Sequence, residues 1–237
     1  MIFLRSTVFN ILFYISTTLF SAALLLSYLI HPNLIYKVAQ NWGHFNLKLM
    51  RVVLNLDYDV TGLENLPKKP FIVASKHQSA WETVFFNFIF KAPQYVLKRE
   101  LFYLPFFGQC LKLLGSIGLD RSQGSKSIRQ LYSQLQKNKH SNRTIAIFPE
   151  GTRTLPGEKA SYSSGIFLIY KELNRPVVPV ALNSGSFWPK KGWSKKPGSI
   201  RIAILPAIEP GLSRQEFMNR LETQIEERSL QIACLKK

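Results

Sequence analysis

The chain has 237 residues, enough for one well-buried domain with an appendage. Its 31 Lys and Arg against 14 Asp and Glu give a net charge of +17, which favours partners such as an anionic membrane surface or a phosphorylated substrate. Nucleic acid is excluded as a partner because the sequence has no zinc-finger spacing, RNA-binding aromatic signature or basic helix before heptads.

The first predicted element is an uncharged, largely aliphatic stretch at residues 8–30. As a helix it would be ~35 Å long at ~1.5 Å per residue, enough to cross a hydrocarbon core of ~30 Å. The stretch is too long for a cleaved signal peptide, and no small-residue cleavage site follows it. It therefore predicts an uncleaved transmembrane anchor, with a monotopic hairpin as the alternative.

Residues 34–56 form the second predicted element, a helix with two faces. Polar residues and apolar residues each recur at steps of three or four. The apolar face comprises Leu34, Val38, Trp42, Phe45, Leu49, Val52 and Leu56. Because no acidic residue precedes Asp57, the pattern favours an interfacial helix on anionic lipid, and a helix packed on the soluble domain is the alternative. Residues 1–60 are thus predicted to anchor the chain and 61–237 to form a separate domain.

Beyond Pro67, strand-like and helix-like stretches alternate, which predicts an α/β domain with a sheet flanked by helices. The predicted strands are residues 71–75, 95–97, 144–148, 177–182 and 200–205. The predicted helices are residues 79–90, 125–137, 165–173 and 213–232. The last helix opens with Ser213 and carries Glu216 three residues later, a capping-box signature.

The segment His77-Gln-Ser-Ala-Trp-Glu82 lies between the first predicted strand of this domain and the helix after it. Side chains five residues apart on one helix diverge by ~140°, so His77 must precede the helix for Glu82 to reach it. A carboxylate in that position would orient the imidazole, which could then take a proton from a substrate hydroxyl. Ser79 offers a competing Ser–His acyl-enzyme route, but the sequence contains no G-x-S-x-G elbow.

A second segment, Phe148-Pro-Glu-Gly-Thr-Arg153, directly follows a predicted strand. Pro149 ends the strand, Gly151 allows a ligand to approach the backbone, and Thr152 can donate a hydroxyl hydrogen bond. Arg153 presents a bidentate fork suited to phosphate. The segment therefore predicts a phosphate site.

Together with 115–121 and Val178-Pro-Val-Ala-Leu182, these two segments resemble the four ordered blocks of the glycerolipid acyltransferases. The similarity covers about residues 70–207 and is strongest to the 1-acyl-glycerol-3-phosphate acyltransferase branch. The third block, Phe148 to Arg153, matches letter for letter. Glu82 departs from the family's usual aspartate, and residues 161–165 lack the lysine that often precedes the glycine there.

The resemblance implies a glycerol-3-phosphate acyltransferase-like fold with a mixed sheet and N-terminal membrane-anchoring helices. It implies direct acyl transfer from acyl-CoA or acyl-carrier protein to 1-acyl-glycerol-3-phosphate, which makes phosphatidic acid at the cytoplasmic face of the bacterial inner membrane. In this scheme His77 is the base, Glu82 its partner, and Arg121 and Arg153 hold phosphate. Glu150 would bond the glycerol hydroxyl or orient an arginine, and the aromatic stretch within residues 98–108 would line a lipid tunnel.

Two alternatives remain open. A sister enzyme would acylate glycerol-3-phosphate, a lyso-ornithine lipid or another lysophospholipid, because motifs do not encode the shape of the acceptor pocket. A non-enzymatic scaffold that binds membranes would need neither His77 nor Arg153. No metal or redox cofactor is expected, and Cys110 and Cys234 are predicted to be reduced thiols without framework spacing.

The loop at residues 186–198 is predicted to contact the membrane or the phosphates of the acyl donor. It holds tryptophans and lysines without an acid, and its prolines and glycines keep it from continuing a strand. The residues expected to make these contacts are Trp188, Lys190, Lys191, Trp193, Lys195 and Lys196. The alternative is a solvated loop with one tryptophan in the core.

Overall fold

The computed structural model describes residues 1–120, 125–138 and 141–234. In this part of the chain a seven-stranded sheet has the order β1-β7-β6-β2-β5-β3-β4. The strands are β1 Leu56–Thr61, β2 Ile72–Ser75, β3 Gln94–Lys98, β4 Ile117–Leu119, β5 Ile145–Ile147, β6 Val177–Leu182 and β7 Gly198–Ile204. Neighbouring strands are parallel except β6 and β7, which are antiparallel. The predicted mixed sheet is confirmed.

Helices cover both faces of the sheet. They are α1 Ile2–Ile30, α2 Leu34–Leu49, α3 Trp81–Ile89, α4 Phe107–Leu113, α5 Ser125–Asn138, α6 Gly165–Leu173 and α7 Arg214–Cys234. Side chains alternate across β2, so that Val73 packs in the core on the α1–α3 side while Ile72 and Ala74 pack in the core on the α5–α7 side. The same alternation determines on which face of the sheet each residue directly after β2 lies.

The predicted strands and helices of the catalytic domain agree with the structure to within two residues at each end. The capping box is formed, since Ser213 Oγ accepts the Glu216 N–H at 3.3 Å and Glu216 Oε2 accepts the Ser213 N–H at 3.1 Å. Three elements were not predicted: β1, β4 and α4. Each is short or half-polar, and β1 is an edge strand that pairs on one side with β7.

The prediction of one helix over residues 34–56 is wrong at its C-terminal end. The α-helix ends at Leu49, a wider π turn runs over Met50–Leu54, and Asn55 adopts a left-handed conformation with φ 52°. Asparagine tolerates that conformation, so the chain reverses there and Leu56 begins β1. The sheet therefore begins four residues before the boundary predicted at residue 60.

The α2 helix packs against α1 on one side and α3 on the other. Gly43 makes this close approach possible, because a Cβ at that position would lie 2.8 Å from the Val84 carbonyl oxygen. The inner face of α2 is therefore packed on the domain, as the alternative interpretation expected. Its outer face leaves Phe45 45% exposed, and Val52 of the following turn is 81% exposed.

Candidate active site

His77 lies in the turn between β2 and α3. It is on the α1–α3 side of the sheet, as the alternation of side chains along β2 predicts. Its imidazole stacks on the Phe148 ring with centroids 3.9 Å apart and an interplanar angle of 17°. The side chain is 17% exposed. Phe148 thus fixes the plane of the ring while one edge stays accessible.

Glu82, in the first turn of α3, has a fully buried side chain, and its Oε1 lies 3.5 Å from His77 Nδ1. The same oxygen accepts the backbone N–H groups of Gln78 at 2.6 Å and Ser79 at 2.9 Å. His77 Nδ1 and Glu82 Oε2 are buried without a hydrogen-bond partner among the described residues. The predicted proximity is therefore present, but 3.5 Å is longer than a hydrogen bond, and the carboxylate also shapes the turn.

Ser79 has a structural role in this turn. Its Oγ accepts the Trp81 N–H at 2.8 Å while its own N–H donates to Glu82, so both polar groups of the residue help to form the turn before α3. No hydrogen bond joins Ser79 to His77 in the part of the chain that the structure describes. The geometry gives the competing Ser–His route no support.

Glu150 has different surroundings from those expected. Its Oε2 accepts the backbone N–H of His77 at 2.9 Å, and its Oε1 lies 2.5 Å from the ammonium of Lys76. Burial raises the pKa of the Glu150 carboxyl, and its hydrogen bonds to Lys76 and to the His77 N–H partly oppose that shift. The carboxylate therefore supports the histidine turn from behind.

The Phe148–Arg153 turn brings its last three residues to the same cavity as His77. Gly151 has φ 71°, which allows its N–H to bond back to the Phe148 carbonyl oxygen at 2.9 Å. Gly151, Thr152 and Arg153 line the cavity, and Arg153 makes no hydrogen bond or ion pair with a described residue. Arg121, the other predicted phosphate ligand, lies outside the described residues.

The cavity has a volume of about 480 Å³ and extends from His77 and Arg153 to a wall made by the N-terminal helices. The sequence did not indicate this wall, because the residues of α1 and α2 were expected to face lipid. The residues of α1 and α2 that form this wall are Thr17, Phe20, Ser21, Leu24, Val38, Ala39 and Trp42. Lys98, Leu101 and Phe107 also line it, where the resemblance placed a lipid tunnel.

The loop at residues 186–198 folds back on α1. The Lys195 N–H donates to Ser6 Oγ at 2.8 Å, and Trp193 Nε1 donates to Thr7 Oγ1 at 2.8 Å. Lys195 is 4% exposed, and its ammonium lies 4.9 Å from the centre of the Trp188 ring.

Two of the six residues predicted to contact the membrane or donor are therefore buried. Trp188 packs in the core, as the alternative interpretation expected for one tryptophan, and burial lowers the pKa of Lys195 to about 8. Trp193 is 47% exposed, and Lys191 and Lys196 are exposed as well. Lys190 is half-buried.

Both cysteines are free, and Cys110 is buried in the cavity wall, where burial raises its thiol pKa. Within residues 1–120, 125–138 and 141–234, no group of three or more His, Cys, Asp or Glu side chains could hold a metal ion.

Known proteins resemble the chain over most of its length. A sequence model of the family described as Acyltransferase matches residues 57–183. The 1-acyl-sn-glycerol-3-phosphate acyltransferase of Pseudomonas aeruginosa is 40% identical over 221 residues, which cover 90% of this chain and 86% of that protein. The enzyme of that name from Saccharomyces cerevisiae is 32% identical over 185 residues, and 61% of its length is covered.

The crystal structure of the 1-acyl-sn-glycerophosphate (LPA) acyltransferase from Thermotoga maritima matches with a TM-score of 0.83 at 22% identity, over 100% of both chains. This match confirms the predicted fold class, and the sequence matches confirm that the chain is an enzyme. The chain belongs to the acyltransferase family.

Proposed function

We propose that the chain transfers an acyl group from acyl-CoA or acyl-carrier protein to the sn-2 hydroxyl of 1-acyl-glycerol-3-phosphate, which forms phosphatidic acid for phospholipid biosynthesis. The observation that carries the proposal is the cavity, because one wall holds His77 and Arg153 and the rest is mostly apolar. A proton acceptor, a phosphate clamp and room for an acyl chain are what this reaction requires. The names of the similar Pseudomonas and yeast proteins support this acceptor.

In the proposed step, the sn-2 hydroxyl oxygen attacks the thioester carbonyl carbon and the carbon–sulfur bond breaks. His77 takes the hydroxyl proton on Nε2, the edge of the ring away from Glu82, and passes it to the departing thiolate. Glu82 stabilises the imidazolium from the Nδ1 side. The gap of 3.5 Å would shorten to the ~2.8 Å of a charge-assisted hydrogen bond as the ring becomes charged.

Arg153 is proposed to hold the phosphate of the acceptor, with Thr152 and the Gly151 backbone beside it. All three residues line the cavity with His77. A phosphate bound there would place the sn-2 hydroxyl near the imidazole. Arg121 is proposed as a second ligand from the family resemblance alone.

Membrane association is indicated by α1, which is long and apolar enough to cross a bilayer by length and composition and is mostly not buried against the rest of the protein. The buried face of this helix carries mostly small polar residues together with Phe9 and Leu24, while most of its other large apolar residues are exposed. It contacts the domain from Ser6, which bonds Lys195, to Ser21, whose carbonyl lies 3.5 Å from Cys110 Sγ. These residues span ~22 Å of helix axis at ~1.5 Å per residue.

A helix held along the domain over that distance supports a monotopic anchor. We propose that the exposed face of α1 lies in one leaflet, at the cytoplasmic face of a bacterial inner membrane, so the cavity wall that α1 helps to form adjoins the lipid. Cysteines introduced at the two helix ends, at Phe3 and Ile30, test this topology. A monotopic helix predicts that impermeant reagents added outside sealed cells label neither, and labelling of one end would establish a spanning helix.

The activity itself is tested by thiol release from acyl-CoA and acyl-carrier protein with a panel of acceptors. The panel comprises 1-acyl-glycerol-3-phosphate, glycerol-3-phosphate, a lyso-ornithine lipid and another lysophospholipid. Fastest turnover with 1-acyl-glycerol-3-phosphate is expected. Preference for another acceptor would overturn the proposed substrate and leave the reaction class standing.

A further inference from the structure

A cluster of buried charges lies behind the turn between β2 and α3 that carries His77 (the catalytic turn), on the opposite side of the sheet from the cavity. Lys76 is 1% exposed, and its ammonium lies 2.5 Å from Glu150 Oε1 and 2.8 and 2.9 Å from the two carboxylate oxygens of Glu226. It also donates to the Glu158 carbonyl oxygen at 3.0 Å. The Tyr162 hydroxyl donates to Glu226 at 2.9 Å. The donors of the ammonium are thus directed at protein oxygens.

Strand alternation explains why Lys76 reaches this cluster. Lys76 continues the series of Ile72 and Ala74, which face α5–α7, whereas His77 continues the series of Val73 on the cavity side. Glu226 comes from α7, 150 positions later in the chain. A lysine buried to this degree is costly unless it is paired, so α7 and the catalytic turn depend on each other.

Glu150 connects the cluster to His77. Its second carboxylate oxygen accepts the His77 N–H at 2.9 Å. On the other side of the same residue, the His77 carbonyl oxygen accepts the Thr154 N–H at 2.8 Å. The backbone of the histidine is therefore held at both polar groups by the segment that also carries Arg153.

We propose that Lys76 and Glu226 are positioning residues, which hold Glu150 in place and through it set the position of His77 against the bound acceptor. The C-terminal helix α7 then contributes to catalysis without touching the cavity. This inference rests on the proposed function, in which His77 is the base.

The charges in the cluster decide what removal of each residue does. Glu150 faces Lys76, Glu226 and the His77 N–H, and Tyr162 bonds Glu226. Loss of Lys76 leaves two buried carboxylates against each other, which favours a proton on Glu150, and a protonated oxygen is a poorer acceptor for the His77 N–H. Loss of the Glu226 charge removes a group that raises the pKa of Glu150. The two changes should therefore move the acidic limb of the activity profile in opposite directions.

The test compares Lys76→Met, Glu226→Gln and the double variant Lys76→Met/Glu226→Met with the parent, by kcat and acceptor KM as a function of pH. Lys76→Met should lower kcat by about 10–100-fold, by analogy with the groups that orient metal ligands from behind, with little change in KM. Its acidic limb should move to higher pH, and that of Glu226→Gln to lower pH. The double variant should be more active than Lys76→Met, because one unpaired carboxylate is gone.

The matched control is Glu227→Gln, the adjacent exposed carboxylate of α7, which should behave as the parent. Folding is checked by thermal melting, with kinetics measured well below each midpoint. If Lys76→Met does not fold, the inference is tested by the shift of the acidic limb of the activity profile in Glu226→Gln. Folded variants with lower melting points but the parental kcat and acidic limb would make the cluster merely structural and overturn the inference. An inactive parent would instead overturn the proposed function.

Discussion

Replacing Glu82 by glutamine tests whether this carboxylate acts on the imidazole or only shapes the turn. The amide oxygen can still accept the N–H groups of Gln78 and Ser79, so the turn should form. The charge 3.5 Å from Nδ1 is lost. Glu82→Gln therefore separates the two roles that the structure gives this side chain.

The two effects have different magnitudes. Two hydrogen bonds to a charged acceptor become neutral, which lowers stability by roughly 2–3 kcal/mol in total and leaves a protein of ordinary stability folded. A unit charge 3.5 Å from an imidazolium contributes roughly 5 kcal/mol at an effective dielectric of about 20, which corresponds to at most about three and a half powers of ten in rate. The loss of kcat should thus be far larger than the loss of folded protein.

The assay is thiol release at saturating donor and acceptor, with circular dichroism and thermal melting to confirm folding. Glu82→Asp should fall between Glu82→Gln and the parent, because the charge remains but its reach is about 1.5 Å shorter. Glu64→Gln, an exposed carboxylate of the turn after β1, is the charge-matched control. A folded Glu82→Gln enzyme within tenfold of the parental kcat would refute the acid–imidazole pair.

Three further predictions concern the remaining site residues. His77→Ala should lower kcat by about 10²–10⁴ without unfolding the protein, and a nearly normal rate would contradict its role as the base. Arg153→Ala should raise the acceptor KM about 10–100-fold at ~1.5–3 kcal/mol per charged hydrogen bond, with the donor KM unchanged; equal changes in both would mean that the clamp is misassigned. Replacing Lys190, Lys191 and Lys196 by glutamine should slow turnover on anionic vesicles but spare detergent-solubilised acceptor; equal losses in both settings would indicate donor binding or folding instead.

Much of the sheet could be predicted because its central strands are short apolar runs bounded by polar or turn residues. Residues 72–75 and 177–182 are fully buried and read unambiguously. By contrast, β1 has the sequence Leu-Asp-Tyr-Asp-Val-Thr and lies at the edge of the sheet. Most of its residues are only partly buried there, so they need not be apolar. Such a strand exists because β7 pairs with it, and that partner is about 140 residues away.

The cavity wall could not be predicted from the N-terminal sequence. Hydropathy identifies α1 as apolar, but it cannot tell which stripe meets lipid and which meets protein. The small polar residues Ser16 and Thr17 would ordinarily weaken a membrane helix, yet they bond Asn46 and Trp42 of α2. In this chain they indicate the face that packs on the enzyme, a signal that becomes legible once the partner helix is known.

The two acidic residues of the motifs act on different parts of one histidine. Glu82 faces the imidazole, whereas Glu150 holds the backbone N–H of the same residue. Both carboxylates lie beside candidate site residues in the sequence. From the sequence alone, each is therefore expected to contact either the substrate or the imidazole ring. The left-handed turn at Gly151 sends Arg153 to the cavity while Glu150 meets Lys76 behind it. A loss of charge at Glu82 should therefore alter the basicity of the ring, and a loss at Glu150 should alter its position.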